Sequence, residues 1–312
     1  MELISSKGTR QQKIARPRRA VNGILLLDKP LNLSSNQALQ QAKRLYQADK
    51  AGHTGSLDPL ATGMLPICFG RATKLSHYLL DSHKRYLAVI RFGERTETGD
   101  AEGAVVAYSD ASTLTRVRLS ESLQKFVGVI EQVPPMYSAL KREGRPLYEL
   151  ARAGIEVERA ARRVNIDELK VVSFEAGLCE LEVACSKGTY IRTLAEDIAA
   201  ACGQVAHLAA LRRLYVRPYE GLPMQTLDQI QAAASRGLES LDALLLSPAT
   251  ALRGWPELRL DQEAAARLRH GQAVAVGRAP PGTALAVGGD GQLLAIVHVE
   301  SGMAAPRRWL AD

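Results

Sequence analysis

In GHTGSLDPLATG, from Gly52 to Gly63, three glycines and one proline force a tight, irregular loop around His53 and Asp58. Such a loop holds an aspartate rigidly, and Pro59 biases Asp58 toward an extended backbone. Leu57 and Leu60 can anchor the loop against a core. The chemistry on offer is that of a fixed carboxylate. An arbitrary Asp-Pro pair more often forms only an Asx turn, and that bland reading competes until the rest of the chain is weighed. A phosphate-cradling loop is disfavoured, because no GK[ST] ending follows and a carboxylate stands where an anion needs amides or cations.

The flanking sequence supplies elements that could position this loop. Gly23 to Leu27 reads as a buried strand, and Asp28, Lys29 and Pro30 turn it toward a helix capped by Ser34 or Ser35. Leu39, Ala42, Leu45 and Tyr46 give that helix a buried face. Tyr86, Ala88, Ile90 and Phe92 alternate with Leu87, Val89 and Arg91, and Cys179, Leu181, Val183 and Cys185 alternate likewise, predicting two half-buried strands. After the second, Ile191, Leu194, Ala195 and Ile198 keep helical spacing, with Thr189 as the expected cap and Gly203 as the stop. Val133 to Arg163 breaks the sheet pattern with Pro134, Pro135 and seven basic residues, and reads as an inserted basic lobe. Ser247 to Pro256 has the composition of a linker. A short helix capped by Asp261 and stopped by Gly271 follows, and then short strands with Gly and Pro turns, which suits a small barrel-like module.

Composition bounds the function class. A chain of 312 residues suggests roughly two units at about 150 residues each. The net charge of +7 favours a polyanionic partner such as nucleic acid, or an anionic membrane surface. No apolar run approaches the roughly 18 residues of a spanning helix, and the basic N-terminus lacks the pattern of a signal peptide, so a cytosolic protein is expected. Residues 1 to 20 carry six basic side chains against Glu2 and read as a flexible basic tail. Cys68, Cys179, Cys185 and Cys202 form no CxxC pair and are expected to be buried small hydrophobes.

The phrase GHTGSLDPLATGMLPICFG resembles the signature of the TruB family of tRNA pseudouridine synthases. GILLLDKP with SSN, DSHKRY, PPMYSALK and KGTYIRTLAEDI resemble further motifs of that family, in the family order. The resemblance implies that Asp58 is the catalytic carboxylate. Pseudouridine formation breaks the bond from ribose to ring nitrogen, turns the uracil and rejoins the sugar to a ring carbon. A carboxylate could attack the anomeric carbon or remove the neighbouring sugar proton, and must be ionised and close in either route. Reactant and product are isomers, so no cofactor and no metal is expected.

The same resemblance implies that Arg192 pairs with Asp58 and favours its ionised form, that Tyr190 stands near the same carboxylate, and that Tyr86 packs against the target base. It implies that His53 refills the gap left in the RNA loop when the uridine swings out. Lys29 is expected to be a pocket or phosphate residue and Leu211 to line the uracil site. Lys141, Arg142 and Arg145 of the basic lobe are natural phosphate contacts, an RNA grip. The wording departs from the family at Ser56, where alanine is common, and across GQVAHLAALRRLYVRPY, which bears on Leu211.

The expected fold is α+β, the pseudouridine synthase fold, with a mixed, largely antiparallel central sheet flanked by helices. The catalytic domain would cover residues 21–250, with its insertion at 133–163, followed by a small C-terminal β-rich PUA-like domain at 251–312. The expected partner is the T arm of tRNA, met by a monomer without membrane or obligatory protein partner. Two alternatives remain: a guide-RNA-dependent synthase working inside a ribonucleoprotein, and a non-catalytic RNA-binding module. Intact Asp58, Tyr86, Tyr190 and Arg192 argue against the second.

Overall fold

A computed structural model describes residues 18–311. Strands β1 (Gly23–Lys29), β2 (Ala51–His53), β3 (Ala61–Phe69) and β4 (Lys84–Phe92) come first, then a hairpin of β5 (Glu94–Thr96) and β6 (Val105–Tyr108). They are followed by β7 (Gly128–Gln132), a second hairpin of β8 (Lys141–Arg142) and β9 (Arg145–Pro146), and the long strands β10 (Arg162–Glu175), β11 (Leu178–Cys185) and β12 (Ala206–Val216). Eight of these form one sheet in the order β1-β3-β12-β4-β11-β10-β7, with β2 also on β3. Every pairing in it is antiparallel except β12 with β3, where Leu211 to Arg213 run beside Ala61 to Gly63. The sheet is therefore mixed and largely antiparallel, as expected.

The alternation read from the sequence is the alternation of burial along β4, where Tyr86, Ala88, Ile90 and Phe92 are buried and the residues between them are less so. Helices α1 (Ser35–Leu45), α2 (Ser76–Leu80), α3 (Arg116–Leu123) and α4 (Leu147–Arg152) precede α5 (Ile191–Ala201). The apolar sides of β4 and β11 face α5, whose Ile191, Leu194, Ala195 and Ile198 enter the same core. On the other side of the molecule, α1 packs Leu39 and Ala42 against β1 and β3. Burial of each leucine, isoleucine or phenylalanine among them contributes about 1.5–3 kcal/mol. All four cysteines are buried and free, as expected.

Two helix starts bear on the site, the first within expectation and the second not. Ser34, not Ser35, caps α1, forming a capping box with Gln37. Thr189 does not cap α5: its hydroxyl donates to the Ser186 carbonyl, and Tyr190 occupies the cap position without a side-chain cap bond. The basic lobe is also shorter than predicted. Arg162 and Arg163 already belong to β10, opposite Gln132 and Glu131 of β7, so the excursion spans residues 133–161. It carries the β8–β9 hairpin and a short helix, Leu147–Arg152.

The final five strands, Glu257–Arg259, Val274–Ala275, Gly282–Val287, Leu293–Glu300 and Met303–Trp309, form a separate sheet against the helix Gln262–Arg269, capped by Asp261. The segment read as a linker is packed rather than free: Ala251 and Leu252 share one buried cluster with Ile24, Met64, Leu285 and Ile296, and the Trp255 ring meets Tyr78 edge-on at 4.9 Å. Most of the basic tail lies outside the described residues. Its last part is held, because Arg19 donates to both carboxylate oxygens of Asp242, at 2.7 and 2.6 Å.

Candidate active site

The loop between β2 and β3 is pinned from four directions. The Ser35 hydroxyl, freed from capping duty, donates to the Leu57 carbonyl at 2.9 Å and accepts from the Leu57 amide at 2.7 Å. Leu57 itself is buried in the main core and Leu60 packs against it. The Ala61 amide reaches back to the Asp58 carbonyl at 3.0 Å, closing a turn with Pro59 behind Asp58. The guanidinium of Arg213 donates to the Gly55 carbonyl at 3.0 Å and, through Nε, to the Met64 carbonyl at 2.6 Å. Gly63 must be glycine here: its φ is +98°, and a Cβ would stand 2.2 Å from the Arg213 carbonyl oxygen.

Held in this way, the Asp58 carboxylate faces a cleft of about 350 Å³ lined by Tyr86, Tyr190, Arg192, Leu211, Lys84 and Ser138, among others. Its Oδ2 lies 3.0 Å from Nη2 of Arg192, and its side chain is 48% exposed while that of Arg192 is 8% exposed. One side of the carboxylate is thus open and the other is clamped. Arg192 is saturated by oxygens: Nη1 donates to the Thr98 carbonyl at 3.0 Å and Nη2 to the Tyr137 carbonyl at 2.6 Å, with Asp100 Oδ2 at 3.5 Å. Asp100 is buried and receives the Thr98 hydroxyl and the Glu102 amide, so its charge is compensated within the fold.

Tyr86 is buried on β4, where burial pushes its phenol up and the adjoining Arg213 pulls it down. Tyr190 is half-buried, and burial raises its phenol while Ser138, Arg162 and Arg192 oppose that rise. Both hydroxyls are therefore held neutral at neutral pH, as rings that could stack on a base and donate to an oxygen. Leu211 reaches the cleft from the stretch of β12 that runs parallel to β3.

Two expected site residues are placed elsewhere. Lys29 is fully buried behind the loop, donating to the carbonyls of Pro30 at 2.9 Å and Leu33 at 2.5 Å, with that of Pro59 at 3.5 Å. It is a strut of the Asp58 turn and does not line the cleft, which corrects the expectation of a pocket or phosphate contact. His53 sits on β2 opposite Ile67, half-buried, and is not among the cleft-lining residues. Burial and the Arg213 charge lower its pKa, which keeps the ring neutral. Lys141, Arg142 and Arg145 are exposed on the β8–β9 hairpin, where solvent and polyanions can reach them.

Burial also brings Lys29 down to about 8, against the opposing pull of Asp58. The unfolded chain then binds the extra proton above that pH, so the cost of this group is fully present below about 8 and fades as pH climbs toward the ordinary lysine value. Urea midpoints should accordingly rise more between pH 7.5 and 9.5 in the wild type than in Lys29→Met. Equal rises in both proteins would refute the assignment.

Sequence reasoning missed Ser35, Asp100, Arg213 and Lys84. Ser35 was visible only as an alternative cap. Arg213 stands in the LRR phrase, but nothing in one sequence distinguishes a fully buried arginine from its half-exposed neighbour Arg212, which instead pairs bidentately with Asp28 at 2.8 and 3.0 Å.

Residues 43–191 match the family described as TruB family pseudouridylate synthase (N terminal domain). Residues 192–253 match the tRNA pseudouridylate synthase B C-terminal domain, and residues 256–310 match Pseudouridine synthase II TruB, C-terminal. The chain is 50% identical over 301 residues to tRNA pseudouridine synthase B of Pseudomonas aeruginosa (strain UCBPP-PA14), covering 95% of this chain and 98% of that protein. It is 53% identical over 256 residues to the protein of the same name from Marinomonas sp. (strain MWYL1), covering 82% and 83%. Among solved structures, a chain in the crystal structure of a Cbf5-Nop10-Gar1 complex superposes with a TM-score of 0.74 at 22% identity, over 94% of this chain and 86% of that one. A chain from the structure of an H/ACA RNP bound to a substrate RNA containing 2'-deoxyuridine gives a TM-score of 0.71 at 19% identity, over 97% and 93%. These structural likenesses concern the fold.

Proposed function

The chain belongs to the TruB family of pseudouridylate synthases, and on that premise we propose that the Asp58 cleft is where it isomerises a uridine of tRNA to pseudouridine. The observation that carries the assignment is the Asp58–Arg192 pair at 3.0 Å, with a half-exposed carboxylate in a cleft that two tyrosines also line. The substrate is the uridine of the T loop. It leaves its stack, which costs a few kcal/mol, and Tyr86 offers an aromatic face worth roughly 1–3 kcal/mol in return. Asp58 then acts on the ribose, as nucleophile at the anomeric carbon or as base at the neighbouring one, and Arg192 holds its charge. Leu211 forms the apolar wall beside the base. His53 refills the RNA stack from outside the cleft, a role that fits its place beyond the lining residues.

Catalytic domain and C-terminal module divide near residue 251, and both meet RNA. The enzyme acts in the cytoplasm as a monomer on bare tRNA. No helix among the described residues is long and apolar enough to cross a membrane. The insertion at 133–161 supports action without a guide RNA, because its exposed Lys141, Arg142 and Arg145 are free to meet RNA phosphates. Replacing these three by alanine should weaken T-arm binding and make its dependence on log salt shallower by about 2 to 3, as three displaced counterions require. An unchanged slope would remove the hairpin from the RNA path.

The test of the function as a whole is tritium release from a T-arm stem-loop labelled at the uracil ring carbon that becomes the new attachment point. Purified protein alone should release one tritium per stem-loop. No release without an added guide RNA would transfer the reading to the ribonucleoprotein type.

A further inference from the structure

Gln132 is the last residue of β7, where the chain leaves the sheet for the insertion, and it is 2% exposed. Its carboxamide does not serve its own strand. Oε1 accepts from the Tyr190 amide at 3.1 Å, and Nε2 reaches the Tyr190 carbonyl at 3.4 Å. Tyr190 occupies the cap position of α5, whose first turn lacks a side-chain cap, so Gln132 satisfies from another element a donor that would otherwise be orphaned. The Tyr190 carbonyl also accepts the first helical bond, from Leu194 at 3.0 Å.

Five residues further on, the Tyr137 carbonyl takes Nη2 of Arg192 at 2.6 Å. The buried Ser138 next to it lines the cleft, and the adjacent Tyr190 phenol feels its hydroxyl. The root of the insertion thus touches α5 twice: at the backbone of Tyr190 and at the guanidinium of Arg192. Both residues line the cleft that holds the Asp58 carboxylate, and Arg192 pairs with it directly.

We propose that Gln132 is a positioning residue for the isomerisation, fixing the start of α5 so that Tyr190 and Arg192 keep their register with Asp58. The proposal rests on the active-site reading above. Gln132 touches neither RNA nor the reacting atoms. Its effect comes through the placement of the two side chains, for which displacement by about 1 Å can cost on the order of 10²-fold in rate.

Gln132→Met keeps the volume and removes both hydrogen bonds. The single-turnover rate of tritium release at saturating enzyme is expected to fall between about 10- and 100-fold, while T-arm affinity by filter binding stays within about twofold, because phosphate contacts dominate affinity. If melting curves show this variant unfolded at the assay temperature, the same comparison is read on Gln132→Asn, whose shorter side chain cannot reach Tyr190. A rate close to wild type would overturn the proposal. So would rate and affinity falling in equal proportion, which would make Gln132 a support of the RNA grip alone. Asp58→Asn is run alongside: should that protein remain active, the active-site reading itself fails, whatever Gln132 does.

Discussion

Asp58→Asn is expected to bind a T-arm stem-loop as tightly as the wild type and to release tritium at a rate lower by more than about 10³-fold. The substitution is nearly isosteric, and the side chain is 48% exposed, so little burial energy is at stake. The turn that holds it uses backbone groups, Ala61 N–H to Asp58 C=O, and the Ser35 clasp on Leu57, none of which involve the carboxylate. The asparagine oxygen can still accept from Arg192. What disappears is the negative charge and the basicity, which either route at the ribose requires. Stability should change by no more than about 1 kcal/mol in urea unfolding, as for an exposed substitution. Residual activity above about one tenth of wild type would dismiss the carboxylate as the reacting group.

Arg192→Met is expected to damage both folding and catalysis, and this separates it from Asp58→Asn. Its guanidinium serves four oxygens: the carboxylates of Asp58 and Asp100 and the carbonyls of Thr98 and Tyr137. Asp100 has a side chain 4% exposed, and removing its cation leaves a buried charge whose remaining partners among the described residues are the Thr98 hydroxyl and the Glu102 amide. Breaking a buried pair from one side costs about 3–5 kcal/mol, and the two surviving bonds to Asp100 place the expected loss toward the lower end. The single-turnover rate should fall on the order of 10²-fold or more, since Asp58 loses its clamp. Arg192→Lys restores charge without the planar fork, so it should recover stability better than rate. A variant that lost activity with an unshifted urea midpoint would contradict the four-oxygen arrangement.

The parts of the fold that sequence made legible are those where a single period dominates. The alternation along β4 and the helical spacing from Ile191 to Ile198 depend on one face being buried, and each prediction held for that reason. Thr189 failed as a cap because its hydroxyl turns back to the Ser186 carbonyl and the helix begins one residue later, after Tyr190, whose amide is taken by Gln132 of a distant strand. A long-range side-chain contact of that kind leaves no local trace. The end of the basic lobe was misplaced for a related reason: Arg162 and Arg163 look like lobe by charge, yet their backbone pairs with β7.

At the site, Asp58, Tyr86, Tyr190, Arg192 and Leu211 were named from motif resemblance, and the structure brings all five to one cleft. Lys29 was misassigned because a lysine in a turn usually faces solvent. Here the turn folds over it, and its ammonium finds backbone carbonyls instead. Asp100 was invisible because its importance lies in what it does for Arg192, ninety-odd residues away in the chain.

The most direct measurement is the crystal structure of Asp58→Asn bound to a T-arm stem-loop. The target uridine should lie outside its stack with its base against Tyr86, and its anomeric or neighbouring sugar carbon within about 3.5 Å of the position-58 side chain, the distance for attack or proton transfer. A uridine still stacked in the loop, or a sugar that approaches a different carboxylate, would contradict the assignment of Asp58.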